Sequence, residues 1–259
     1  MFINQNKSRN HNFFMGLALL QAKKVLGNTK DNPAVGCIIT KNNHVISAGY
    51  TSINGRPHAE PNAINFSKIN PKNSQLYVTL EPCSHYGKTP PCVNAIIKKK
   101  IKKVFFSIND VDTRSSNKST KLLRRKGIIV NCGVLKNEMK LFYRSYINFK
   151  EKTLPYLTCK LAVSKDFYTI DKKNKWITNE LSRGRVHLMR SNHDCIMTSS
   201  KTIIDDDPRL TCRIEGLKDR SPSRIILDNK LRIPINSKII KESANHRTII
   251  FYNKGNKKK

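Results

Sequence analysis

The sequence predicts a two-unit α/β protein. A chain of 259 residues is long enough for each half to bury its own core. Short apolar runs of strand character alternate with stretches of helical character along both halves. Between the two alternations lies the polar, lysine-rich stretch Lys150–Pro155 (KEKTLP), a plausible boundary. The units expected from these signals are 1–149 and 150–259.

In the first half, residues 12–25 read as a helix whose apolar stretch Phe13–Leu20 runs on into Gln21-Ala22-Lys23-Lys24. No small-residue cleavage site follows it, so it suits a domain helix better than a signal peptide. Val35–Thr40 and Val45–Gly49 form a hairpin pair, 60–68 a helix, and Leu76–Thr79 a buried strand. Residues 91–100 are helical, Lys103–Ile108 (KVFFSI) is a buried strand, 118–126 a basic helix and Ile128–Cys132 a final strand. Strands separated by helices imply a sheet with parallel pairs and helices on its faces. Residues 136–149 continue as a helix. In the second half Tyr156–Val163, Asp194–Thr198, Arg224–Asp228 and Arg247–Tyr252 read as strands, and 178–190 as a helix.

Composition narrows the functional classes. No apolar run approaches the roughly 20 residues that span a bilayer, which points to a cytoplasmic chain without membrane partners. The formal charge is +31. Its positive runs (Lys98–Lys100 with Lys102-Lys103, Arg124–Lys126, Lys172-Lys173, Lys257–Lys259) are scattered and lack interleaved aromatics. That pattern fits a solvated lysine-rich surface, and attraction of a small anionic phosphate ester, better than specific nucleic-acid binding. Seven cysteines in a reducing compartment argue against a disulfide framework. Cys37, Cys132, Cys159, Cys195 and Cys212 each sit alone among apolar or strand-like residues, where core packing is the ordinary role.

Cys83 and Cys92 differ, because each follows a proline within one compact polar segment. Pro57-His58-Ala59-Glu60 opens a helix, and Pro82 through Cys92 (PCSHYGKTPPC) lies between a strand and a helix. One imidazole and two thiolates from His58, Cys83 and Cys92 make three protein ligands for zinc, leaving one coordination position open for catalysis. Cys92, at a helix start, is expected to ionise readily. Glu60, two residues from a ligand, is placed to move protons between water, a ring nitrogen and leaving ammonia. His-x-Glu followed by a Pro-Cys…Cys segment resembles the signature of the zinc deaminases.

The resemblance extends further. Asn32-Pro33-Ala34-Val35-Gly36, Pro57-His58-Ala59-Glu60 and Thr79 through Cys92 (TLEPCSHYGKTPPC) are similar to the bifunctional riboflavin-biosynthesis deaminase/reductase family. Its two activities are those of a diaminohydroxyphosphoribosylaminopyrimidine deaminase and a 5-amino-6-(5-phosphoribosylamino)uracil reductase. The His-x-Gly-x-Thr-Pro-Pro insert between the cysteines separates that family from nucleoside and tRNA deaminases, which keep a short Cys-x-x-Cys. Lys160–Asp166 (KLAVSKD), Trp176-Ile177-Thr178, Arg190, Thr198–Thr202 and Asp206–Arg213 then match the family's second half in order.

This resemblance implies a cytidine-deaminase-like α/β/α domain followed by a dihydrofolate-reductase-like α/β domain, truncated at its carboxy end. It implies hydrolysis of the ring amino group of 2,5-diamino-6-(5-phosphoribosylamino)pyrimidin-4-one, and NADPH-dependent reduction of the ribosyl group to ribityl. It places Ala162, Trp176, Thr202, Asp206 and Asn229 on NADPH, and Asn174, Arg190, Leu210 and Arg213 on the substrate. Arginine suits a ribose phosphate through its bidentate fork. The loop from Asn109 is expected to close on the substrate, although it lacks the family's Asp-Pro-Asn-Pro. Pro61 is expected to shift the start of the Glu60 helix slightly. Because the chain stops before the family's glutamate- and glycine-rich segment, a weak or absent reductase is expected, with self-association covering apolar surface. A deaminase acting on a nucleic-acid base and a partly decayed remnant are the competing readings.

Overall fold

The computed structural model describes residues 2–169 and 176–253, with no side chains considered for residues 2–9. The chain divides into two compact units, Met1–Thr158 and Cys159–Lys259. Among the described residues no helix is long and apolar enough to cross a membrane.

The first unit is built on a five-stranded mixed sheet in the order β2-β1-β3-β4-β5. β1 (Gly36–Lys41) pairs antiparallel with both β2 (His44–Tyr50) and β3 (Gln75–Leu80). β4 (Lys103–Ile108) and β5 (Ile129–Cys132) then add in parallel. Every residue of β4 from Val104 to Ile108 is buried, as a run apolar on both faces requires. Helix α1 (Phe2–Lys23) turns Phe14, Met15, Ala18 and Ala22 inward, a single helical face. It meets the sheet at Gly36, where a Cβ would lie 1.9 Å from the Ala18 carbonyl oxygen. Helix α2 (Ala59–Phe66) meets it at Gly49, where a Cβ would lie 2.4 Å from the Ala63 nitrogen. Gly49 is opposite Cys37, the residue after Gly36, so the two glycines face opposite sides and admit one helix to each face.

Helices α3 (Cys92–Lys98) and α4 (Lys118–Arg125) follow β3 and β4. The single helix expected over 136–149 is two, α5 (Lys136–Phe142) and α6 (Arg144–Lys152), broken at Tyr143. The break seats the Tyr143 hydroxyl in the core, where it donates to the Ala34 carbonyl at 3.0 Å and lies 2.6 Å from Thr79 Oγ1. Thr79 Oγ1 in turn accepts the Gly36 amide at 3.1 Å, closing a ring of hydrogen bonds across β1 and β3. The boundary expected at 149/150 falls inside α6. That helix belongs to the first unit, because Tyr146 Oη donates to Asp110 at 2.9 Å and Lys150 pairs with Asp112 at 3.4 Å.

The second unit carries a parallel three-stranded sheet, β6 (Cys195–Ser199), β7 (Ser223–Leu227) and β8 (Thr248–Phe251). Helices α7 (Glu180–Ser191), α8 (Ser200–Asp206) and α9 (Lys238–Lys241) accompany it. Ile203, Leu210, Ile226, Ile233 and Ile239 form its core. The strand expected over Tyr156–Val163 is not one: the segment forms no regular element and has no ladder partner among the described strands.

Candidate active site

The first unit's site is assembled from two strand-to-helix connections. His58 is the residue before α2, with an extended backbone (φ −71°, ψ 169°), and Glu60 sits in that helix's first turn. Pro61 is the third residue of α2, where a missing amide hydrogen costs nothing, so the helix starts normally and keeps Glu60 in place. Cys83 follows β3, and Cys92 begins α3 behind Pro91.

These connections bring together His58, Cys83 and Cys92, whose donor atoms all lie within 4.8 Å of one another. His58 Nδ1 is 3.5 Å from Cys83 Sγ and 3.3 Å from Cys92 Sγ. Ligands about 2.0–2.3 Å from a tetrahedral zinc are separated from one another by about 3.3–3.8 Å, so the two distances fit that ion. The donor chemistry, one imidazole with two thiols and an adjacent buried carboxyl, suits the same metal.

Electrostatics divide the donors. Hydrogen bonding from the Cys92 thiol, followed by His58 and the Cys92 amide, pulls the Cys83 thiol down to about 4. The Cys92 amide donates to Cys83 Sγ at 3.2 Å. The start of α3 thus stabilises the thiolate of Cys83 rather than that of Cys92, whose own thiol is pushed up by its bond to Cys83 and by burial. The amide at the helix start is directed at Cys83, because the first amide of a helix points back along the chain and not at its own side chain. The same Cys83 hydrogen bond raises the His58 imidazole. Glu60 is only 3% exposed, and burial followed by the nearby Cys83 charge pushes its carboxyl up to about 7.

Around this centre stand residues the sequence reading gave no role. Arg56 donates to Thr89 Oγ1, pinning the segment between the two cysteines. Gly55 (φ 89°) is required, since a Cβ there would lie 2.3 Å from Asn32 Nδ2. Glu81 accepts the Asp110 amide at 3.2 Å, and His85 Nδ1 lies 2.8 Å from Ser115 Oγ. Glu81 and His85 stood inside the recognised motif, but their partners lie 29 and 30 residues away, and no local signal reports such pairings.

In the second unit only some of the predicted residues are brought together. Arg190, on α7, donates to the Thr211 carbonyl at 3.0 Å. The Arg213 amide donates to His187 Nδ1 at 3.2 Å, and Leu210 is buried beside them. Burial, and then the Arg213 charge, lower the Arg190 pKa, and its Nε is buried without a hydrogen-bond partner. Thr202 and Asp206 lie on α8 directly after β6, while Asn229 follows β7. Asn229 lines a cleft of about 270 Å³ with Leu227, Asp228, Phe251, Tyr252 and Asn253. Trp176 is exposed and receives the Arg183 guanidinium 4.8 Å from its ring centre. Ala162 is half-buried in the irregular segment that precedes α7. Asn174 lies outside the described residues.

Comparison with known proteins places both halves. Residues 8–108 match the family described as the cytidine and deoxycytidylate deaminase zinc-binding region, and residues 155–259 match the RibD C-terminal domain. The riboflavin biosynthesis protein RibD of Aquifex aeolicus is 37% identical over 247 residues, covering 95% of this chain and 69% of the relative. That of Bacillus amyloliquefaciens is 36% identical, covering 90% of this chain and 63% of its own. The chain thus spans about two thirds of the length of these curated relatives. A solved Thermotoga maritima diaminohydroxyphosphoribosylaminopyrimidine deaminase/5-amino-6-(5-phosphoribosylamino)uracil reductase superposes with a TM-score of 0.87 at 35% identity. It is matched over 95% of this chain and 70% of that one.

Proposed function

The chain belongs to the RibD family of riboflavin-biosynthesis proteins, and on that premise we propose that its first unit is a zinc-dependent deaminase of 2,5-diamino-6-(5-phosphoribosylamino)pyrimidin-4-one. One observation carries this reading: the His58, Cys83 and Cys92 donors converge within 4.8 Å beside the buried carboxyl of Glu60. Zinc, when bound by these three residues, supplies the Lewis acidity that brings a water molecule's pKa towards neutrality.

The protein's own groups do the rest. Glu60, a buried carboxyl beside the three donors, takes the proton of the attacking water on a carboxyl oxygen. It delivers that proton to the ring nitrogen and then assists departure of ammonia, so that one water replaces one amino group. Burial keeps bulk water from competing for the proton. The Cys92 amide on Cys83 Sγ holds the sulfur anionic and fixed.

The test is ammonia release from the diaminopyrimidine phosphate by zinc-loaded protein. Glu60→Gln is expected to lower the rate by roughly 10²- to 10⁴-fold with zinc content unchanged. No release by the wild type sinks the deaminase reading, and equal release by Glu60→Gln removes Glu60 from its role.

The second unit is read as the reductase half. Ala162, Trp176, Thr202, Asp206 and Asn229 are assigned to NADPH, and Asn174, Arg190, Leu210 and Arg213 to the phosphoribosyl substrate. The position of Thr202 and Asn229 just past two neighbouring parallel strands favours a nucleotide. The mutual repulsion of Arg190 and Arg213 favours an anion beside them. Saturable NADPH binding by the purified chain decides between this reading and the weak reductase expected from the sequence.

A further inference from the structure

The Glu81 side chain is 3% exposed and its carboxyl group faces the connection between β4 and α4. One oxygen, Oε2, accepts the amides of Asp110 at 3.2 Å and Asn117 at 3.0 Å. The other, Oε1, accepts the Ser119 hydroxyl at 2.7 Å. A single carboxyl oxygen therefore closes both ends of the loop 110–117. Asn117 is the residue before α4, with φ 60° and no capping bond from its own side chain, and Glu81 binds its amide from outside.

Inside the loop the order continues. Asp110 Oδ1 accepts the Asp112 amide at 3.0 Å, and the Asp112 carbonyl accepts the amides of Ser115 and Ser116, each at 2.9 Å. Ser115 is fully buried, and its Oγ lies 2.8 Å from His85 Nδ1. His85 stands two residues past Cys83, in the segment joining the two thiol donors. An unbroken hydrogen-bonded path thus runs from Glu81 through the loop to an imidazole beside the metal-binding segment. A carboxyl buried among neutral donors is a costly way to stabilise a fold, since apolar packing would serve more cheaply. Its use here is geometric.

Resting on the deaminase reading above, we propose that Glu81 is a positioning residue for that reaction. It fixes loop 110–117 and, through Ser115, orients His85 at the rim where the substrate enters. Glu81→Ala is expected to raise KM for the diaminopyrimidine phosphate roughly tenfold, about the loss of one buried hydrogen-bond network, with kcat within about threefold and zinc content unchanged. Ser115→Ala reproduces most of that rise, and the double variant is no worse than Glu81→Ala alone. Glu81→Gln restores the wild-type KM, because its amide oxygen can accept both backbone amides while its NH₂ donates to Ser119 Oγ.

A kcat loss accompanied by zinc loss, an unchanged KM in folded Glu81→Ala, or additive single variants would overturn the proposal. If Glu81→Ala does not fold, the other variants decide. A raised KM in Ser115→Ala with a normal Glu81→Gln supports the proposal, and a normal KM in Ser115→Ala overturns it. If the wild type releases no ammonia, the deaminase reading fails and the positioning role is judged by hydrogen exchange. Loss of protection at the Asp110 and Asn117 amides in Glu81→Ala, regained in Glu81→Gln, supports it; unchanged protection overturns it.

Discussion

Cys83 and Cys92 are both proposed as metal-donor thiols, yet the fold treats them unequally, and that inequality can be measured without any substrate. Metal-free protein at pH 6 should be alkylated first at Cys83, whose thiol is held at about 4 by its hydrogen bonds. Cys132 and Cys195 are more exposed, but burial of their sulfurs raises both thiols, so they should react more slowly. Bound zinc should abolish the Cys83 reaction. Peptide mapping after a short iodoacetamide pulse settles the order, and preferential labelling of Cys132 contradicts it. The residue types of this site were legible in the sequence, because His58, Glu60, Cys83 and Cys92 announce themselves through local spacing. What spacing could not convey was which thiol the helix amide serves, since that depends on the backbone direction at Pro91 and Cys92. Glu81 and Ser115 were illegible for a different reason: their partners come from elements folded together only in three dimensions.

At the level of elements, two glycines decide how close the helices come to the sheet. Gly49→Ala forces a Cβ against the Ala63 nitrogen, 2.4 Å away, and α2 must retreat, taking with it Glu60 on its first turn and His58 just before it. We expect a loss of about 3 kcal/mol and weakened zinc binding, read by denaturant titration and metal competition. Gly16, in α1, has no atom within 4 Å of where its Cβ would stand. Gly16→Ala should therefore stabilise by about 0.5–1 kcal/mol through helix propensity alone. The loop from Asp110 supplies a pH test. The Arg114 guanidinium, followed by Lys150, holds the Asp112 carboxyl well below its ordinary range, so its folded pKa is depressed. The stability it contributes is fully present above about pH 4 and is lost as pH falls towards the depressed value. The Tm difference between wild type and Asp112→Asn should be largest at neutral pH and shrink below pH 4. Legibility at this scale followed burial on both faces. Lys103–Ile108 was readable to the residue, because an apolar run covered on both sides has one interpretation. Tyr156–Val163 was misread, because an apolar stretch carries no record of whether a partner strand exists. The break at Tyr143 was invisible, being dictated by a hydroxyl that seeks Ala34 more than 100 residues away.

Taken whole, the molecule pairs a very basic composition with small-molecule chemistry. A formal charge of +31 should draw a phosphorylated substrate inward at low salt. The kcat/KM for deamination is expected to fall several-fold between about 50 and 300 mM salt, as screening shortens the reach of surface charge. No salt dependence would show that the charge is mere solvation. The ring of hydrogen bonds made by Tyr143 with Ala34 and Thr79 has a consequence in time. All three proposed metal donors lie between residues 58 and 92, so they leave the ribosome before the tyrosine that ties β1 to β3. Translation therefore presents a complete set of donors while that tie is still unmade and the whole second unit is unborn.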